Sequence, residues 1–119
     1  MAKVLIVDDS KMSRRMLKTI IEGIGHEIVG EGSNGEEGVK LYKETQPDIV
    51  TMDITMPEMD GINCLKAIKE FDANANVIMV TAAGQSAKLM DALKAGAKEF
   101  ICKPYEPEQV INAVKEVLK

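Results

Sequence analysis

Three observations predict an α/β fold, a parallel sheet with helices on both faces. Five short apolar runs alternate strictly with five segments of helical periodicity along 119 residues. The runs are nearly continuous in apolar character, as strands covered on both faces must be. No stretch is left over for a linker, so one domain spanning residues 1–119 is expected, with right-handed crossovers. Alternation alone does not give the strand order.

Lys3-Val4-Leu5-Ile6-Val7 is the first strand and runs into Asp8-Asp9. Ser10 then caps a helix to about Ile24, on which Met16, Ile20 and Ile24, with Leu17 and Ile21 alongside, form an apolar stripe. Gly25 closes it, since a helix end commonly needs a left-handed residue there. A second strand spans Glu27 to Glu31, and the turn Gly32-Ser33-Asn34-Gly35 leads to a helix burying Val39, Leu41 and Tyr42. Asp48 to Asp53 is the third strand. Ile62, Leu65 and Ile68 mark a helix from Gly61 to about Phe71, followed by the loop Ala73 to Asn76. Val77 to Val80 is the fourth strand, and Gln85 to Ala95 is a helix carrying Leu89, Met90 and Leu93. Glu99 to Cys102 is the fifth. The last helix, from Glu106-Pro107 to Leu118, buries Val110, Val114, Val117 and Leu118.

Composition narrows the functional classes. A 45% hydrophobic, 29% charged chain is ordinary for a soluble globular protein. The net charge of −4 argues against direct nucleic-acid binding, which needs a basic field against phosphates. No apolar run reaches membrane-spanning length and no leader precedes the first strand, so a cytoplasmic protein without membrane insertion is expected. Cys64 and Cys102 lie far apart, His26 is the sole histidine, and neither spacing suggests zinc. Two buried, reduced thiols are expected instead.

The chemistry collects at the carboxyl ends of the strands, which share one edge of a parallel sheet and open on the crevice where such sheets bind ligands. The first strand supplies Asp8 and Asp9, the third Asp53, the fourth Thr81 and the fifth Lys103. Taken singly, each has a plainer role: a turn aspartate, a strand-closing threonine, a solvated lysine. Their coincidence is what makes a site. Three converging carboxylates repel, so one must protonate or a cation must join them, and Mg²⁺ with oxygen ligands is the economical choice. With an ammonium and a hydroxyl beside it, the set suits a phosphoryl group, and Asp53 is the natural nucleophile of an aspartyl phosphate.

These residues, with Met56-Pro57-Glu58-Met59-Asp60-Gly61 after Asp53, Thr81-Ala82, and Phe100-Ile101-Cys102-Lys103-Pro104, resemble the receiver domains of two-component response regulators over the whole chain. The segments Met52 to Gly61 and Ala95-Gly96-Ala97-Lys98 are similar to the single-domain chemotaxis members of that family. The resemblance implies a flavodoxin-like (βα)5 three-layer sandwich with strand order 2-1-3-4-5. It implies that Asp53 accepts a phosphoryl group from a histidine kinase, that Asp8, Asp9, Asp53 and the Thr55 backbone carbonyl hold Mg²⁺, and that Lys103 and Thr81 contact the phosphoryl oxygens. Thr81 and Phe100 would form the switch, with Phe100 at a position where chemotaxis regulators often carry tyrosine.

A target surface is expected on the last two helices, from Lys88 to Lys98 and Tyr105 to Lys119. The implied partners are a chemotaxis histidine kinase, the flagellar motor switch and a phosphatase, and the implied state is a monomer. Thr55 and Ala83, two residues beyond Asp53 and Thr81, flank the path of the hydrolytic water in the family. Their small side chains predict a lifetime set by a phosphatase or by slow self-hydrolysis. The rivals are a phosphorelay shuttle, a receiver cut from a longer transcriptional regulator, an aspartyl-phosphate phosphatase and a flavin or nucleotide carrier. The phosphatase would want an acid at Thr55 and a cap over the substrate. The carrier would want a Gly/Ser/Thr phosphate loop where Asp8-Asp9 stands. The basic row Lys11, Arg14, Arg15 and Lys18 is expected as a solvated helix face, with docking of an acidic kinase surface as the other reading.

Overall fold

The structure, a computed structural model, describes residues 1–56, 59–82 and 84–119. Five strands, β1 (Lys3–Val7), β2 (Glu27–Gly32), β3 (Ile49–Asp53), β4 (Val77–Thr81) and β5 (Glu99–Cys102), alternate with five helices. The helices are α1 (Lys11–Gly23), α2 (Gly35–Thr45), α3 (Gly61–Phe71), α4 (Ser86–Lys94) and α5 (Pro107–Val117). The strands form one parallel sheet of order β2-β1-β3-β4-β5. This is the flavodoxin-like order that the resemblance implied.

Side chains alternate across each strand, and each face of the sheet therefore has its own core. Val4, Ile6, Ile49, Ile78 and Ile101 meet Leu17 and Ile21 of α1 and Val110, Val114 and Val117 of α5. Leu5, Val7, Val50, Met52, Val77 and Met79 meet Tyr42 of α2, Leu65 and Ile68 of α3 and Ala92 of α4. Two helices lie on one side and three on the other. No helix among the described residues is long and apolar enough to cross a membrane.

The helix ends follow local chemistry. Ser10 Oγ accepts from the Ser13 backbone N–H, Asn34 Oδ1 from Glu37, and Asp60 Oδ1 from Asn63, each satisfying an orphan first-turn donor. Gly25 takes φ 92° just beyond α1, as its left-handed role required.

The helix faces needed correction in several places. On α1 the buried row is Ser13, Leu17 and Ile21, while Met16 is 48% exposed and Ile20 and Ile24 are only partly covered. Both rows are apolar at four-residue spacing, so sequence alone could not choose between them. Met90 and Leu118 are also exposed, with Ala92 and Ala113 buried in their stead. Helix α4 starts at Ser86 with Gln85 at the N-cap position, and the Gln85 side chain turns back to accept the Ala82 N–H. Cys64 is buried and donates to the Gly35 carbonyl, and burial pushes its thiol up to about 12. Cys102 is exposed, against the expectation of two buried thiols; both are free.

Candidate functional site at the carboxyl edge of the sheet

The strand order explains why the chain's acidic residues meet. Strand β3 is central, with β1 and β4 on either side, so their carboxyl ends flank that of β3. Val7 is level with Met52, which sets Asp8 beside Asp53, and Asp53 is level with Val80. Thr81 is level with Cys102, and the Lys103 N–H donates to the Thr81 carbonyl at 2.7 Å, extending that ladder by one bond. The Lys103–Pro104 peptide is cis.

Each carboxylate has its own setting. Asp8 is 1% exposed; its backbone N–H donates to Gly32, and its Oδ1 accepts the Ser10 N–H at 2.8 Å. That bond folds the chain from β1 into α1 and turns Oδ2 toward Lys103. Asp53 is 7% exposed and ends a strand buried along its whole length. Asp9 is exposed. One oxygen from each of Asp8, Asp9 and Asp53 lies within 4.8 Å of the others. The Lys103 ammonium sits 3.3 Å from Asp8 Oδ2 and 3.7 Å from Asp53 Oδ2.

Burial raises the Asp53 carboxyl from 3.8 to about 6, and the Asp8 charge adds to it; Lys103 and the Thr55 backbone pull the other way and lose. Burial alone would lower the Lys103 ammonium, yet Asp53 and Asp8 hold it above its ordinary value. One ammonium therefore does not balance three carboxylates. The residual negative charge, presented on hard oxygen ligands at a partly open edge, fits a divalent cation of the Mg²⁺ kind.

The floor of this edge is close-packed. Gly61 N–H donates to the Ile54 carbonyl at 2.8 Å, and a Cβ on Gly61 would stand 2.0 Å from the Asp53 carbonyl oxygen. Only a residue without a side chain lets α3 start this close beneath Asp53. The turn residues Pro57 and Glu58 lie outside the described residues, as does Ala83.

The edge thus brings together Asp8, Asp9, Asp53 and Lys103, with Thr81 buried at the end of the neighbouring strand. Thr55 follows two residues after Asp53 and is exposed. Phe100 is 41% exposed and points outward, so it is no core residue. Tyr105 is half-buried against the α1/α5 core.

Two residues had escaped the sequence reading. Arg14, expected on a solvated face, reaches back with Nη1 to the Asp8 carbonyl at 2.6 Å and pairs with Glu31 at 3.4 Å. Lys18 also approaches Glu31, at 3.9 Å. Gln85 sets its carboxamide among three groups at the site: Oε1 accepts the Ala82 N–H at 2.9 Å and lies 3.3 Å from Thr81 Oγ1, while Nε2 donates to Thr55 Oγ1. Nothing in its position marked it as more than a helix-start residue.

A cavity of about 610 Å³ lies at the opposite edge, lined by Ala2, His26, Asp48, Asp72, Asn76 and Lys98 among others. None of the acidic-site residues borders it. Size here does not track chemistry: His26, Asp48, Asp72 and the Asn76 amide nitrogen are engaged in the hydrogen bonds of the loops that form it.

Comparison with known proteins agrees with this geometry. The chain is 54% identical to the chemotaxis protein CheY of Thermotoga maritima over 117 residues, covering 98% of each chain. It is 51% identical to CheY of Bacillus subtilis over 116 residues, covering 98% of this chain and 97% of the other. Among solved structures, the CheX–CheY–BeF3–Mg²⁺ complex from Borrelia burgdorferi contains a chain 46% identical to this one, with a TM-score of 0.94 over 98% of this chain and 89% of that one. Residues 4–115 match the response regulator receiver domain, and the chain belongs to that family.

Proposed function

We propose that the chain, acting as one receiver domain over residues 1–119, is a chemotaxis response regulator phosphorylated on Asp53 by a histidine kinase. The observation that carries this reading is the triad of carboxylates within 4.8 Å, with the Lys103 ammonium 3.7 Å from Asp53. An Asp53 oxygen attacks the phosphorus of a phosphohistidine; the new O–P bond forms as the P–N bond breaks, and the leaving imidazole takes up a proton. Asp8, Asp9, Asp53 and the Thr55 carbonyl would hold Mg²⁺, which when bound supplies positive charge against the anionic phosphoryl oxygens. Lys103, 3.3 Å from Asp8 and 3.7 Å from Asp53, would leave Asp8 to pair with a phosphoryl oxygen. Thr81 contributes a hydroxyl donor from the adjacent strand. Asp8 stays fixed by its bond from Ser10, which keeps the ligand set in position during the transfer.

Loading then biases a two-state equilibrium through Thr81 and Lys103. Phe100 is outward in this structure, and its inward movement would reshape α4, β5 and α5 as the target surface. The CheY relatives support the flagellar motor switch as that target, and the relative's complex with CheX supports a phosphatase partner of that kind. The protein works as a cytoplasmic monomer without contacting nucleic acid in this reading. It is a signalling phosphoacceptor that assists its own loading and slow loss of phosphate.

Intact mass after incubation with acetyl phosphate and Mg²⁺ tests the reading. One phosphoryl addition is expected, absent in Asp53→Asn and absent with chelator. No addition to folded wild-type protein in Mg²⁺ would overturn it.

A further inference from the structure

We propose that Gln85 is a latch that holds the phosphoryl site in its unloaded form, so that its carboxamide must let go before Asp53 is stably loaded. The inference rests on the phosphoacceptor reading above and adds to it a residue that sets how readily loading occurs.

Gln85 immediately precedes α4, where a side chain ordinarily caps the helix, yet it makes no such bond. It turns back instead. Its Oε1 accepts the Ala82 N–H at 2.9 Å and stands 3.3 Å from Thr81 Oγ1. Its Nε2 reaches across to donate to Thr55 Oγ1, in the chain leaving β3. One carboxamide thus ties together the segments that follow β3, the strand ending in Asp53, and its neighbour β4.

The chemistry of the tie makes it competitive. The Thr81 hydroxyl has one proton, and its acceptors here are the Ala82 carbonyl at 3.2 Å and Gln85 Oε1 at 3.3 Å. Both are short-range and belong to the same loop. A phosphoryl oxygen on Asp53 would need that same proton, so loading must take it from the loop. The Gln85 oxygen is therefore an internal stand-in for a ligand oxygen. Its other arm holds Thr55, whose carbonyl is proposed for the cation, so release of Gln85 would free the hydroxyl side and the metal side together.

The state that binds is then only a fraction of the unloaded protein, and apparent affinity falls by that fraction. The tie is made of neutral hydrogen bonds near the surface, part of which water or the Ala82 carbonyl can replace, so the net effect of removing the latch is that of about one such bond, roughly three- to tenfold.

The test loads the full chain with beryllofluoride and, separately, acetyl phosphate in Mg²⁺, and reads the concentration that half-saturates Asp53. Gln85→Met keeps the length of the side chain and removes its polar atoms. It is expected to lower half-saturation about three- to tenfold. Thr55→Ala cuts one arm only and should lower it less, and the double variant should gain nothing beyond Gln85→Met, because the two act through one tie. Hydrogen exchange at the Ala82 amide gives a second readout that loss of loop structure in general would not reproduce. Exchange should quicken in unloaded Gln85→Met, stay slow in Gln85→Glu, which keeps an acceptor, and be equal in all loaded forms. Unchanged or weaker loading of Gln85→Met, with wild type loading normally, would overturn the latch and leave Asp53 as phosphoacceptor. Failure of wild type to load would overturn the reading beneath it.

Discussion

The two edges of the sheet spend the same residue type in opposite ways. At the amino-terminal edge every acidic side chain of the cavity answers a donor of its own. Asp48 Oδ2 takes the Lys3 N–H at 2.8 Å, and Asp72 takes the Tyr42 hydroxyl at 2.8 Å and the Asn74 N–H at 3.0 Å. These carboxylates close loops. At the carboxyl edge Asp8, Asp9 and Asp53 face one another, with one ammonium among them. An acidic residue there is a cost to the fold, and what the cost secures is a place for a cation and a phosphoryl group. A carboxylate's role is told by what faces it.

The contrast predicts opposite signs for removing charge at the two edges. The largest effect belongs to Asp53→Asn. The Asp53 carboxyl is raised from 3.8 to about 6 in the fold. Below pH ~4 it is protonated folded or unfolded; as pH rises toward 6 the unfolded chain ionises it freely and the folded chain resists. Stability contributed by Asp53 is therefore lost as pH rises through about 6. At about 1.4 kcal/mol per pKa unit, Asp53→Asn should be more stable than wild type by about 1–3 kcal/mol at neutral pH without metal. Urea unfolding in chelator between pH 4 and 8 measures it. The gap should open between pH ~4 and 6 and stay flat above, and Mg²⁺ should narrow it by binding the folded wild type. A destabilised Asp53→Asn across that range would erase the distinction between the edges.

The sequence made the carboxyl edge more legible than the amino-terminal one. Asp8-Asp9, Asp53, Thr81 and Lys103 each follow an apolar run, so period and strand ends alone place them on one side of a parallel sheet. The helix start at Ser10 was also readable, because capping is local chemistry; Asn34 and Asp60 cap their helices in the same way, though the sequence reading gave them only as turn residues. Strand order was not, since no short-range pattern tells the chain leaving β2 to cross back and lay β3 on the far side of β1; it came from the resemblance. Helix orientation was readable only to within one row. Met16 and Leu17 are both apolar, and the direction of the sheet decides which is buried. Gln85 and Arg14 stayed hidden for a related reason: their partners are far in sequence or are backbone atoms, which leave no trace in residue type.

A smaller effect of opposite sign is expected from Asp48→Ala. The Lys3 N–H would lose its acceptor, while the reciprocal bond from the Asp48 N–H to the Lys3 carbonyl at 2.7 Å would remain. Water can partly replace the lost oxygen at this exposed position, so a loss of about 1 kcal/mol is expected, the usual net value of one hydrogen bond. Chemical unfolding reads it, and the extent of phosphoryl loading with acetyl phosphate should match wild type. Impaired loading would mean that the two edges are energetically coupled through β1 and β3, and the division drawn between them would fail.

The finest test is Tyr42→Phe, which deletes one oxygen and leaves the ring. Tyr42 is buried, packs edge-on against Phe71 at 6.2 Å between centroids, and donates its hydroxyl to Asp72. Burial, then the Asp72 carboxylate, raises the phenol above its ordinary value, so at neutral pH the group is a neutral donor to a charged acceptor. Phe keeps the packing, and the half-exposed Asp72 can turn to solvent and still hold the Asn74 N–H. The loss should therefore fall below the range for a hydrogen bond to a charged group and near the low end for an ordinary one, about 0.5–1 kcal/mol. A double-mutant cycle with Asp72→Ala isolates it: if the pair is a loop closure and nothing more, the coupling energy should account for nearly the whole effect of Tyr42→Phe. The same cycle applied to Lys103 and Asp53 in metal-free buffer should not close in this way, because Lys103 divides its charge between two carboxylates and removing one leaves the other still to be balanced.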